Sequence, residues 1–313
     1  MSAINPKPMF DAKGWRLTEQ ERDLTTLARD FGETTLASRA HRWDQEATFP
    51  LENYHDMHGN GLLGIGVPKE HGGLGADYRA YMLTAAEMGR FCGATALTWN
   101  MHVCSTLWTG PLSDDLDLEP DALADHQNRR SEHFRRIVED GAIYSQPFSE
   151  GGAAAAGAAP WSTTATPTDG GWIINGKKIF ASLSGFADYY GILCGEIQES
   201  GKYSRRDTIY IAVPAKAEGV KVVGEWDPLG MRGTVSRTLI FEDVFVPDSA
   251  ALMPHGLYFQ AASRWPHMFM TLSPTYMGIC QAAYDFTIAY LRGEIEGLPP
   301  VKRRQLPTKQ LAV

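Results

Sequence analysis

Apolar residues recur every three or four positions across residues 18–90 and again across 271–292, whereas between those stretches the spacing falls to two. The first period is that of a helix with one buried face, and the second that of a strand. Thr18-Glu19-Gln20-Glu21 is a capping box, in which a threonine hydroxyl and a glutamate satisfy two backbone N–H groups at a helix start. Leu24, Leu27 and Phe31 follow at helical spacing. Further helices are expected over residues 51–61, after Asp77 as N-cap with Tyr78, Met82, Ala85 and Met88, and over 126–139 with Phe134, Ile137 and Val138 inward. Gly64 to Gly75 reads as a tight loop, 93–102 as an apolar segment embedding Asn100 and His102, and 114–121 as a solvated loop.

From Ala142 the pattern becomes strand-like, with runs at 172–174, 179–181, 209–213, 220–223 and 239–246 separated by Pro, Gly and Asp. The first two runs flank Asn175-Gly176. Both residues tolerate positive φ, as a two-residue type I′ turn requires, so 171–184 reads as a β-hairpin. After Pro247 the helical period places Leu272, Tyr276, Ile279, Ala283, Phe286 and Tyr290 on one face, and another helix is expected from Thr308. The expected fold is therefore α+β. It has an N-terminal helical domain (1–141), a central β domain (142–250) built as a small antiparallel barrel or sandwich, and the beginning of a C-terminal helical bundle (251–313).

Composition narrows the function without naming it. At 313 residues, with 43% hydrophobic and 21% charged residues, the chain has the make-up of an ordinary globular protein of two or three domains. A net charge of -8 argues against a nucleic-acid partner. The basic cluster Lys302-Arg303-Arg304 is short, suited at most to a phosphate on a small ligand. Cys92, Cys104, Cys194 and Cys280 form no Cys-x-x-Cys pair and read as reduced, mostly buried thiols, and the histidines have no metal-ligand spacing. Lys7, Asp11 and Lys13 occupy the place of a signal peptide's apolar region, and no apolar run approaches membrane-spanning length, so a cytoplasmic protein is expected.

Four motifs, in one order, resemble the acyl-CoA dehydrogenase family: Val67-Pro-Lys-Glu-His-Gly-Gly-Leu-Gly75, Phe148-Ser-Glu150, Asn175-Gly-Lys-Lys-Ile-Phe-Ala-Ser182 and the long segment from Leu229-Gly-Met-Arg-Gly-Thr234 to Phe241-Glu-Asp-Val-Phe-Val-Pro247. The resemblance implies FAD held extended against the β domain. By position, Phe148 and Ser149 would line the flavin, and Phe180, Ala181 and Ser182 would flank it. Asn100 and His102 would sit near the acyl cavity, where a satisfied buried pair is the competing reading. Arg232 would lie on the substrate side, or make a domain-interface ion pair.

The family's reaction is α,β-dehydrogenation of an acyl-CoA thioester. A carboxylate removes the α proton while the β hydrogen leaves as hydride to the flavin. The usual glutamate is expected beyond Val313, and the family's alternative position near His267 is empty of acids, since no Asp or Glu occurs between Ala250 and Tyr284. The resemblance also implies electron-transfer flavoprotein as electron acceptor and a homodimer or homotetramer. Two departures stand out: the family's Gly-Ser-Asp is replaced by the Ala/Gly run at 153–159, and its Arg-x-Thr-Phe-Gly by Arg303-Arg-Gln-Leu-Pro307. A flavin monooxygenase on the same fold, which lacks the glutamate, and a non-catalytic binding member are the alternatives.

Overall fold

The computed structural model describes residues 7–11, 13–152, 160–297 and 307–311. Helices come first: α1 (Glu19–Phe31), running through a π turn at Gly32–Leu36 into α2 (Ala37–Glu46), then α3 (Leu51–Gly59), α4 (Tyr78–Gly89), α5 (Gly93–Thr109), α6 (Pro111–Asp114) and α7 (Pro120–Val138). The Thr18 capping box forms, with the Glu21 side chain answering the Thr18 N–H, and the Asp77 carboxylate accepts from the Ala80 N–H to start α4. The apolar segment from Gly93 is the central helix α5, which buries Trp99, Val103, Leu107 and Trp108.

Seven strands follow: β1 (Tyr144–Ser145), β2 (Thr164–Thr168), β3 (Gly171–Ala181), β4 (Tyr189–Glu196), β5 (Thr208–Pro214), β6 (Val220–Val223) and β7 (Arg237–Pro247). They make one mixed sheet in the order β1-β4-β2-β3-β7-β6, with β5 on the other edge of β4. The pairs β1–β4 and β2–β4 are parallel and the rest antiparallel, so the expected β domain is a mixed sheet rather than a purely antiparallel one. Strand β4 carries no alternation, because both its faces are covered, and a period-two reading passes over it.

The expected hairpin at Asn175-Gly176 does not form. Strand β3 runs straight through both residues and pairs with β7 on either side of a register shift between Ile174 and Gly176. Gly176 takes φ +148 there, and a Cβ on it would lie 2.6 Å from the Thr163 Cα. Asn175 and Asp243 bond reciprocally across this bulge: the Asn175 amide donates to the Asp243 carboxylate at 2.9 Å, and its Oδ1 accepts from the Asp243 N–H at 2.9 Å. The turn is made instead by Asp169-Gly170, which joins Thr168 to its partner Gly171, with Gly170 at φ +72.

After the sheet come α8 (Tyr258–Arg264), α9 (Ser273–Arg292) and α10 (Pro307–Leu311). The inward face of α9 is not the expected one. It buries Pro274, Thr275, Gly278 and Ala289, while Tyr276, Ala283 and Phe286 face outward. The reason is distance: α9 crosses α4 so closely that only small residues fit between them. Cys280 lies on the same outward side, so three of the four thiols are buried and one is exposed. No described helix is long and apolar enough to cross a membrane.

Candidate functional site

The end of β3 and the loop 229–236 meet at a corner of the sheet where the backbone is strained. Among the described residues seven non-glycines have positive φ, and four of them are here: Phe180 (+51), Leu183 (+65), Met231 (+60) and Val235 (+43). A β-branched or bulky side chain resists that conformation, and such strain gathers where geometry serves a site. The Leu183 N–H donates to the Thr234 carbonyl at 3.0 Å and the Ser184 N–H to the Val235 carbonyl at 3.2 Å, which holds the two segments together. A second register shift, between Lys178 and Ala181, leaves Ile179 and Phe180 without ordinary partners on β7.

Phe180 is therefore turned out of the sheet. It is 65% exposed, with Trp226 edge-on to its ring at 6.3 Å. Beside it, the Ile179 N–H donates to the Ser149 carbonyl at 2.8 Å, which sets residues 148–149 alongside the strand end. The Ser149 hydroxyl is half-buried and bonds to no protein group among the described residues. Behind them runs a line of hydroxyls: Ser182 Oγ to Ser236 Oγ at 2.8 Å, and Ser236 Oγ to Thr234 Oγ1 at 2.7 Å. The Ser145 hydroxyl donates to the Ser182 carbonyl at 2.6 Å. Ala181 is fully buried, its carbonyl accepting from the Ser184 hydroxyl.

Beneath the corner lies a buried charge pair that the sequence motifs contain but to which sequence reasoning assigns no role. Lys178 Nζ donates to Glu150 Oε1 at 2.6 Å and to the Leu193 carbonyl at 2.6 Å, and sits 4.7 Å from the centre of the Trp161 ring. Glu150 also accepts from Ser162 N–H (2.6 Å), Ser162 Oγ (2.7 Å) and Thr163 N–H (3.0 Å). Burial disfavours both charges and pushes the lysine below its ordinary range. Burial also raises the carboxyl, but Lys178 and the other donors outweigh it and hold Glu150 below its usual value. The signal available in the sequence was a lysine at an inward-phase position of a strand, which a period-two reading does not expect.

The other sequence candidates fall into three groups. Ser149, Phe180 and Ser182 come together at the corner, as just described. Phe148 adjoins them, but its ring turns inward onto Tyr210 (5.5 Å) and Tyr258 (5.8 Å). His102 is fully buried in α5, and both ring nitrogens are used: Nδ1 accepts from the Tyr144 N–H at 3.0 Å, which makes Nε2 the donor to the Leu63 carbonyl at 2.9 Å. Burial lowers its pKa to about 4. It thus ties α5 to β1 and keeps no atom for a ligand. Asn100, two residues earlier in the same helix, is also fully buried, and its Nδ2 has no protein partner among the described residues. Arg232 makes a two-pronged pair with Asp44 of α2, at 2.5 and 3.2 Å, anchoring the strained loop to the helical region. Arg303 and Arg304 lie outside the described residues, as does the Ala/Gly run.

The fold thus combines a helical block, a mixed sheet with a strained aromatic corner and a returning helix. The acyl-CoA dehydrogenase N-terminal domain matches residues 18–110 and the acyl-CoA dehydrogenase middle domain matches 147–244, together more than half of the chain. The chain belongs to the acyl-CoA dehydrogenase family, flavin-dependent oxidoreductases acting on CH–CH groups. It is 29% identical to the human mitochondrial short-chain specific acyl-CoA dehydrogenase over 301 residues, 95% of this chain and 68% of that protein. The butyryl-CoA dehydrogenase of Megasphaera elsdenii has the same fold, with a TM-score of 0.76 at 22% identity, covering 94% of this chain and 74% of that one. So does a nitrososynthase from Micromonospora carbonacea var. africana, with a TM-score of 0.72 at 22% identity, covering 91% and 69%.

Proposed function

We propose that the chain is an FAD-dependent acyl-CoA dehydrogenase that places the flavin ring at the corner formed by Ser149, Phe180 and Ser182. The observation that carries this reading is Phe180: a largely exposed aromatic ring held at positive φ, next to a half-buried serine hydroxyl with no protein partner among the described residues. A flat apolar ring and an uncommitted hydroxyl are complementary to a flat heterocycle with a polar edge. Bound there, FAD supplies the hydride acceptor for the β hydrogen of the thioester.

The protein's own part is to bind, orient and exclude water. Phe180 offers the ring a face, the Ser149 hydroxyl a hydrogen bond at its edge, and the Ser182–Ser236–Thr234 line a fixed polar backing. Neither of the two carboxylates hydrogen-bonded at this corner, among the described residues, is free to act as base. Glu150 is buried and spent on four donors, and Asp44 is paired with Arg232. On this reading neither of these two is the base that removes the α proton. Asn100 and Arg232 are not given a substrate role, and His102 supports the sheet.

The second reading is a flavin monooxygenase on the same fold. Anaerobic addition of short-chain acyl-CoA to the flavin-loaded protein separates the two. Bleaching of the flavin band supports dehydrogenation; no bleaching, with oxygen uptake once an external reductant is supplied, supports the monooxygenase. Electron-transfer flavoprotein as acceptor, a cytoplasmic setting and a homodimer or homotetramer complete the proposal.

A further inference from the structure

We propose that Lys178 and Glu150 are positioning residues that fix Ser149 and Phe180 in the one relative placement at which both meet the flavin. The inference rests on the flavin reading above. Both side chains are almost wholly buried, with exposures of 0% and 1%, and their contacts reach three separate segments: β3 through Lys178, β4 through the Leu193 carbonyl, and the approach to β2 through Ser162 and Thr163.

The need for such a device follows from the register. Between Lys178 and Ala181 the β3–β7 ladder slips, so the ladder itself does not fix Phe180. Ser149 lies in a segment with no strand of its own, held to β3 by the single Ile179 N–H at 2.8 Å. Glu150 follows Ser149 directly and Lys178 precedes Phe180 by two residues, so the 2.6 Å contact closes a short loop around the two corner residues. A buried ion pair is a poor source of stability, because apolar replacements of similar volume are often neutral or stabilising. Its better-attested use is to specify one arrangement among several, and that is the role assigned here.

The test is flavin binding by the double variant Lys178→Met/Glu150→Gln, which removes the charges and leaves the volume. The expected result is a cooperative melt close to wild type in the flavin-free proteins, a flavin Kd weakened by roughly tenfold, and a flavin absorption band that loses its resolved shoulder. Lys178→Arg, which keeps the charge, recovers most of the affinity. A double variant with wild-type Kd and band shape overturns the proposal. If the double variant does not fold, Ser162→Ala decides, since it removes one exposed donor from Glu150. A Kd weakened roughly two- to threefold without a change in flavin-free melting is expected, and an unchanged Kd overturns the proposal. Wild type that takes up no flavin sinks the flavin reading and this inference with it; wild type that binds while the variants bind equally sinks this inference alone.

Discussion

Gly278 of α9 faces the Ala86 carbonyl of α4 so closely that a Cβ on Gly278 would lie 2.2 Å from that oxygen. The relation is mutual, because a Cβ on Gly89 of α4 would lie 2.6 Å from the Thr275 carbonyl. Backbone cannot give way as a flexible side chain does. Gly278→Ala is therefore expected to lower stability by about 2–3 kcal/mol, as overpacking a tight crossing does. An unchanged denaturant midpoint for this variant would show that α9 is not seated as described.

The Asn175-Gly176 bulge makes a graded prediction. Gly176→Ala meets both an unfavourable φ of +148 and the Thr163 backbone at 2.6 Å, and should cost about 2 kcal/mol or more. Asn175→Ala loses an exposed reciprocal pair with Asp243 and should cost about 1 kcal/mol. Denaturation of the two variants checks the order, and a larger loss for Asn175→Ala would contradict the bulge.

Three buried histidines set the acid limb of the stability curve. Burial lowers His102, His126 and His133 each to about 4 from an unfolded value of 6.5. The unfolded chain binds more protons between those values, so the stability each contributes is present above pH 6.5 and lost as pH falls toward 4. At pH 5 the loss is about 2 kcal/mol per histidine. Melting temperatures at pH 7, 6 and 5 should fall steadily; a flat profile would mean that these rings are not buried neutral.

The outward side of α9 and the turn before it expose Phe269 (66%), Met270 (61%), Tyr276 (46%), Met277 (50%) and Tyr284 (50%). An apolar surface of this kind promotes association. The 313-residue chain is expected to self-associate as concentration rises, and Tyr276→Ser/Met277→Lys to shift it toward monomer. Sedimentation showing a wild-type monomer at high concentration would count against this.

How much of this was legible beforehand depended on what each residue's surroundings demanded. The capping box at Thr18 and the N-cap at Asp77 are local devices, and the chain uses both as their sequences indicate. Asn175-Gly176 misled because the same tolerance of positive φ serves a bulge as well as a turn, and only the partner strand decides between them. Tyr276 and Phe286 misled because the period of a helix does not say which neighbour it meets. The small residues Gly278 and Thr275 carried that information. At the corner, Phe180 and Ser149 are accessible through motif alone. The Lys178–Glu150 pair is legible only in part: Lys178 stands at an inward-phase position of its strand, but no local pattern names a partner that comes from another segment.

The central claim is that Phe180 and Ser149 form the flavin wall, and titration of wild type and Phe180→Ala with FAD, followed by flavin absorbance, tests it most directly. Phe180 is largely exposed, so its loss should leave folding intact. The account predicts a bound flavin band in wild type and affinity weakened by roughly tenfold in the variant at an unchanged melting temperature. Equal FAD affinity in the two proteins, or no flavin binding by wild type, would contradict it.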